Sequence, residues 1–193
     1  QLFGETNAKS AIRTFFPLLK KIGFVNYDDT FRANECFTEL GILFVLACRA
    51  INNVSDKTPH KDIVLERLVN IKQCAQKQGL VEMYLNKEYE NHNMWVALKL
   101  LKAFTIINWN YFLYALHCLE IGFSLDDAIE EIKKVKDQID TITFVNEEGE
   151  KLPNTCYSYI RSFLEESGII KKVGSKESAL VNPSDKIFTI ITL

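Results

Sequence analysis

Leu18-Leu19-Lys20-Lys21-Ile22-Gly23-Phe24-Val25 and, near the other end of the chain, Phe163-Leu164-Glu165-Glu166-Ser167-Gly168-Ile169-Ile170 decide how this sequence reads. Each closes a helical apolar pattern on a glycine, the residue that most readily takes the left-handed conformation just past a helix end. Each then runs into a β-rich segment. Before the first glycine, Asn7 is placed to cap a helix whose inner face is Ala8, Ala11, Ile12, Phe15, Leu18, Leu19 and Ile22, with Pro17 as an interior break. After it, Phe24-Val25 opens a strand, Asp28-Asp29 supplies a turn and Phe31-Arg32-Ala33 returns as its partner. Thr38 starts the next helix, with Leu40, Leu43, Phe44, Ala47 and Ile51 inward. Around the second glycine, Asn154 caps a helix to Ser167, and Ile169–Val173 and Ala179–Asn182 form a hairpin about Gly174-Ser175.

Helix, glycine stop and short hairpin form the grammar of a winged helix-turn-helix, and the chain carries it twice. Between the two copies the periodicity predicts helices over 60–78 (Ile63, Leu65, Leu68, Val69, Ile71), 93–104, 110–121 and 125–139. Gly122 stops the third of these, and Ser124 with Asp127 forms an S-x-x-D cap for the fourth. The expected fold is mainly α: a winged helix-turn-helix over 1–55, a helical middle over 56–150 and a second winged helix-turn-helix over 151–193.

Composition narrows the function. With 193 residues, 47% hydrophobic, and only 8 Gly and 4 Pro, the chain is neither disordered nor low-complexity. Its longest apolar run, Gly41 to Cys48, ends at Arg49 and falls far short of the roughly 20 residues of a membrane span. With Gln1 first and no signal-peptide pattern, the chain reads as a cytoplasmic protein or a fragment of one. Cys36, Cys48, Cys74, Cys118 and Cys156 include no C-x-x-C pair and read as structural thiols. His60, His92 and His117 sit in no metal or nucleophile motif, and there is no Walker loop or G-x-G-x-x-G. Asp126-Asp127 and Glu130-Glu131 read as a solvated helix face, and Glu147-Glu148-Gly149-Glu150-Lys151 as a turn. No catalytic residue, metal site or cofactor is expected in the chain. The net charge of −2 is uneven: residues 1–52 carry six Lys/Arg against five Asp/Glu, 53–150 eleven against sixteen, and 151–193 six against four.

In a winged helix the helix before the hairpin can enter the major groove while the wing touches the backbone or minor groove. The residues left off the core faces become the candidates for contact with double-stranded DNA. On the first helix these are Lys9, Ser10, Arg13, Thr14 and Lys20; on the second, Thr155, Ser158, Arg161 and Ser162, with Lys171, Lys172 and Lys176 in the wing. Arg13 and Arg161 are the expected base readers, because Arg pairs bidentately with guanine. The competing assignment gives each Arg an acidic neighbour, Glu5 for Arg13 and Glu165 at i+4 for Arg161.

Several segments together resemble a known family. Ala11-Ile12-Arg13, Pro17-Leu18-Leu19-Lys20-Lys21-Ile22-Gly23-Phe24-Val25 and Phe37-Thr38-Glu39-Leu40-Gly41 are similar to the start of the DNA-recognition region of AlwI-like type IIS restriction and nicking endonucleases. Lys61-Asp62-Ile63-Val64-Leu65-Glu66-Arg67-Leu68 resembles their K-D-x-x-L-x-x-L helix. Tyr159-Ile160-Arg161-Ser162-Phe163 through Gly168-Ile169-Ile170 resembles their late R-x-x-x-x-T-G-L segment, with Ser167 in place of Thr, and Leu180-Val181-Asn182-Pro183 ends the likeness. The resemblance implies sequence-specific DNA recognition, with Mg²⁺ and cleavage belonging to a nuclease domain elsewhere in the parent protein. The residues alone leave two alternatives open. One is a winged-helix transcription regulator with a helical sensor or dimerisation domain, the other a winged-helix protein-interaction scaffold.

Overall fold

The structure, a computed structural model, describes residues 16–26, 36–145, 155–175, 177–184 and 187–188. Among these the chain is mainly helical, with one small antiparallel sheet. It divides into two compact units, Gln1–Lys87 and Glu88–Leu193.

In the first unit, helix α1 (residues 16–21) stops at Gly23, whose φ of +70° is the left-handed conformation the sequence predicts there. Three backbone bonds close it: Ile22 N–H to Leu18 O (3.0 Å), Gly23 N–H to Lys20 O (3.0 Å) and Phe24 N–H to Leu19 O (2.8 Å). Val25 then forms an antiparallel bridge with Phe37, supported by Asn26 N–H to Cys36 O at 2.7 Å. The expected turn at 28–29 and return strand at 31–33 lie outside the described residues, so the partner seen is Phe37. Helix α2 (Glu39–Asn53) starts at Thr38, as its N-capping chemistry requires. The Thr38 hydroxyl accepts from Gly41 N–H at 3.1 Å and donates to Gly23 O at 2.5 Å, so one side chain joins the end of α1 to the start of α2.

Helix α3 (Lys61–Leu85) packs along α2 and outruns the expected end at Gln78. Gly79 explains the extension. It is a point of close approach rather than a stop, because a methyl group there would lie 2.5 Å from Ile22 O. Beyond it Leu80 and Met83 are fully buried, which gives the extra turns a packing reason to persist. The expected inner face of α2 holds at Ala47, which is buried, and at Phe44, whose ring lies 4.8 Å from that of Phe24. It fails at Leu43, which is 45% exposed.

In the second unit, helix α4 (Asn93–Phe104) is the central element, with Met94 to Leu98, Leu100 and Leu101 all buried. Thr105, at φ +58°, turns the chain into strand β1 (Ile106–Asn108), and the Asn108 side chain caps helix α5 (Trp109–Glu120) by accepting from Tyr111 N–H at 2.7 Å. Gly122 ends α5, and Ser124 caps helix α6 (Leu125–Val135) by accepting from Asp127 N–H at 3.1 Å, as the S-x-x-D pattern predicts. Helix α7 (Thr155–Glu166) leads through Gly168 into strands β2 (Ile170–Lys172) and β3 (Glu177–Leu180). The sheet order is β1-β3-β2, antiparallel throughout, with Ile106 opposite Ala179 and Ile170 opposite Leu180.

Strand β1 links two segments that the expected boundaries separate. Its pairing with β3 places residues of the supposed helical middle and of the C-terminal segment in one sheet, while the α2–α3 contact keeps 61–85 with the first unit. The division into compact units falls after Lys87, beside the boundaries at 55 and 150 expected from the sequence.

Candidate nucleic-acid interface

Helix α7 and the hairpin after it are the elements the sequence nominates for contact with DNA. α7 is anchored inward by Tyr157, Ile160, Phe163 and Leu164, all buried. Tyr157 donates its hydroxyl to Ile107 O at 3.1 Å and lies 5.6 Å from the rings of Trp109 and Phe112, tying α7 to β1 and α5. Burial, the largest cause, pushes its phenol up to about 12. The opposite side of α7 exposes Ser158 and Ser162, one turn apart.

The stop after α7 repeats that of α1 in the register read from the sequence. Ser167 N–H bonds to Phe163 O, Gly168 N–H to Glu165 O and Ile169 N–H to Leu164 O, at 3.0 to 3.1 Å. The same three bonds close α5 around Gly122. The stop is thus a recurrent device among the described residues, and behind α7 it leads into the paired strands β2 and β3.

Arg161 is bonded within the chain. Its expected role as a base reader conflicts with where its guanidinium is spent. Nε donates to Ser178 Oγ (2.7 Å), Nη1 to Ser175 O (2.7 Å), and Nη2 to both Gly174 O and Glu177 O (2.8 Å each). Four of the roughly five donor hydrogens of an arginine are thereby used inside the chain, and the side chain is only 11% exposed. Glu165 Oε1, at 3.6 Å from Nε, is itself buried, so the i+4 acidic neighbour weighed from the sequence is present as well.

The other candidates fall into three groups. Lys9, Ser10, Arg13, Thr14 and Lys176 lie outside the described residues. Lys20 is exposed on α1, and Thr155 opens α7. Lys171 and Lys172 are both exposed on β2, but strand alternation sends them to opposite faces. Lys172 pairs with buried Ser178 on the side of the helices, and Lys171 with Ala179 on the far side. Sequence reasoning overlooked Ser178 and Tyr157. Inward alternation of Ser178 with Leu180 was the available signal for the first, and Tyr157 had none beyond its place on the apolar face.

No group of metal-ligating side chains occurs among the described residues, and no helix among them is long and apolar enough to cross a membrane. A shallow groove of about 420 Å³ runs between α4 and α6, lined by Lys99, Lys102, Lys133, Asp126, Asp127 and Glu130. Its charges largely face one another: Lys133 bonds Glu130 at 2.7 Å and Lys99 lies 3.9 Å from Asp126. Partial burial and then the Lys99 charge hold the Lys102 ammonium below the usual lysine range. Alternating signs focus no field on a ligand of either charge. No protein-family model, curated protein or solved structure matches this chain significantly.

Proposed function

We propose that this chain binds duplex DNA through winged helix-turn-helix elements, as the recognition part of a type IIS restriction endonuclease whose cleavage domain, with its Mg²⁺, is not in this chain. The observation that carries the reading is the order of elements in the second unit: α4, β1, α5 and α6, then α7 followed directly by the β2–β3 hairpin, with β3 central in the sheet. In a winged helix the helix preceding the hairpin is the one that enters the groove. That helix here is α7, and its exposed Ser158 and Ser162 are short enough for close approach to a phosphate backbone. Lys171, exposed on β2, is the phosphate donor proposed for the hairpin. Lys9, Ser10, Arg13, Thr14 and Lys20 are the contacts proposed for the first unit, and Arg13 is its base reader.

The reading is tested by titrating the full chain into a fluorescein-labelled duplex of about 25 base pairs and following anisotropy. Binding to duplex in preference to the separated strands is expected, with no cleavage when Mg²⁺ is added. A preference for single strands, or no binding, overturns the proposal, and cutting by a clean preparation places a nuclease centre within the chain. A stable dimer that prefers palindromic sites favours a regulator instead, since twofold proteins read twofold sites.

A further inference from the structure

We infer that Arg161 is a positioning residue: it fixes the turn of the β2–β3 hairpin against α7, and so sets where the hairpin meets nucleic acid relative to the outer face of that helix. The inference rests on the DNA-binding reading for its consequence, though not for its geometry.

The hairpin holds its own turn weakly. Val173 N–H and Gly174 N–H both reach Glu177 O, at 3.2 and 3.3 Å, the long end of backbone hydrogen bonding. The connection from Val173 to Glu177 carries no Asn-Gly or Asp-Gly pair, the usual chemistry of a self-supporting tight hairpin. A methyl group added at Gly174 would meet nothing nearer than 3.8 Å, and Val173 and Ser175 are exposed, so side-chain packing does little to hold the tip. Among the described residues, the shorter bonds to the turn come from outside the hairpin. Three carbonyls of the turn, at Gly174, Ser175 and Glu177, converge on one guanidinium rooted in α7, and Ser178 Oγ takes a fourth bond.

The fork explains why the residue is arginine. Its donors leave in fixed, divergent directions within a plane, so carbonyls on both sides of the turn are bound at once. A lysine ammonium offers three donors from a single point on a flexible stem and cannot span them. Glu165 completes the device from the next turn of α7, with its buried Oε1 facing Arg161 Nε. Counting back from the two stop glycines, Arg161 corresponds to Phe16 in the first copy and Ser158 corresponds to Arg13. No arginine therefore stands at the fork's register in the first copy, while Arg13 shares the register of an exposed α7 residue.

The test compares wild type, R161K and S178A as full chains, with R161A added if it folds. Amide exchange by mass spectrometry over 171–180 is read first. R161K is expected to exchange at least about tenfold faster across this segment, with the fluorescence of Trp95 and Trp109 unchanged, and S178A to show a smaller change. Unchanged exchange in R161K overturns the positioning role whatever the DNA result. Binding to the labelled duplex is read second, as a function of salt. If the turn sets a phosphate contact, R161K binds more weakly and its log–log salt slope falls by about one. Faster exchange with wild-type affinity and slope overturns the link between turn and nucleic acid. A wild type that binds no duplex at any salt overturns the DNA reading and leaves the exchange result to decide the positioning role.

Discussion

Adding one methyl group at Gly41 tests how the first unit is built. A Cβ at this position would collide with the Phe24 carbonyl oxygen and come within 2.8 Å of its carbonyl carbon. Both are backbone atoms just after the α1 stop, where Phe24 N–H and O are already committed to Leu19 and Thr38. Neither can rotate away, so α2 has to move off the α1 turn and loosen the buried contacts of Phe24 and Ala47. Overpacking of this kind costs about 1–3 kcal/mol, while Gly→Ala in a helix returns about 1 kcal/mol in propensity. With rigid backbone as the obstacle the cost falls at the upper end, for a net loss of about 2 kcal/mol. Gly79→Ala meets one carbonyl oxygen, Ile22 O, at 2.5 Å rather than in outright collision, with Ile22 Cβ and a Phe24 ring atom at 3.1 Å, so its net loss is smaller, about 1 kcal/mol. Urea unfolding followed by far-UV circular dichroism gives the totals. Amide exchange over 39–53 and 61–85 localises them, because both tryptophans lie in the second unit and do not report on the first. G41A unfolding at the wild-type urea concentration refutes the close approach of α2 to the α1 turn.

Further outcomes follow from the caps, the buried phenol and the turn. Thr38→Ala removes both an N-cap and the bond to Gly23 O, so urea unfolding should show a loss exceeding the roughly 1 kcal/mol of a simple cap; Ser124→Ala, an exposed cap, should stay near that value. Tyr157 is raised to about 12 in the folded chain against 10 when unfolded, so its contribution is complete below pH 10 and is lost as pH climbs from there towards 12. Tyr157→Phe should lose about 1 kcal/mol at neutral pH with the Ile107 bond and should show a shallower alkaline decline, measured as urea midpoint against pH. Gly174→Ala, with open space around it, should leave stability within about 0.5 kcal/mol of wild type.

Local chemistry was legible wherever one residue type meets a backbone demand that few others satisfy. Thr38 and Ser124 cap helices where the pattern places them, and Gly23, Gly122 and Gly168 stop helices at positive φ. What escaped the sequence depends on partners distant along the chain. β1 is three residues between two helices, too short for alternation to register, and it exists because β3 pairs with it. The helix expected over 60–78 runs on to Leu85 because the missing side chain of Gly79 admits the backbone of Ile22. Arg161 illustrates the same limit within the candidate site. A helix pattern places it off the apolar face, and only the path of the hairpin reveals that three carbonyls and a hydroxyl wait there. The outward stations of Ser158 and Ser162 were readable because they follow from periodicity alone.

The salt dependence of duplex binding tests the central claim most directly. Each phosphate neutralised by a lysine or arginine releases counterions, so log K for a duplex falls linearly with log salt, by about 0.9 per contact. The full chain is expected to bind the labelled duplex with a clearly negative slope, and Lys171→Ala to lower that slope by about one while weakening different sequences equally. A salt-independent affinity for duplex, or a Lys171→Ala slope equal to wild type, contradicts the account.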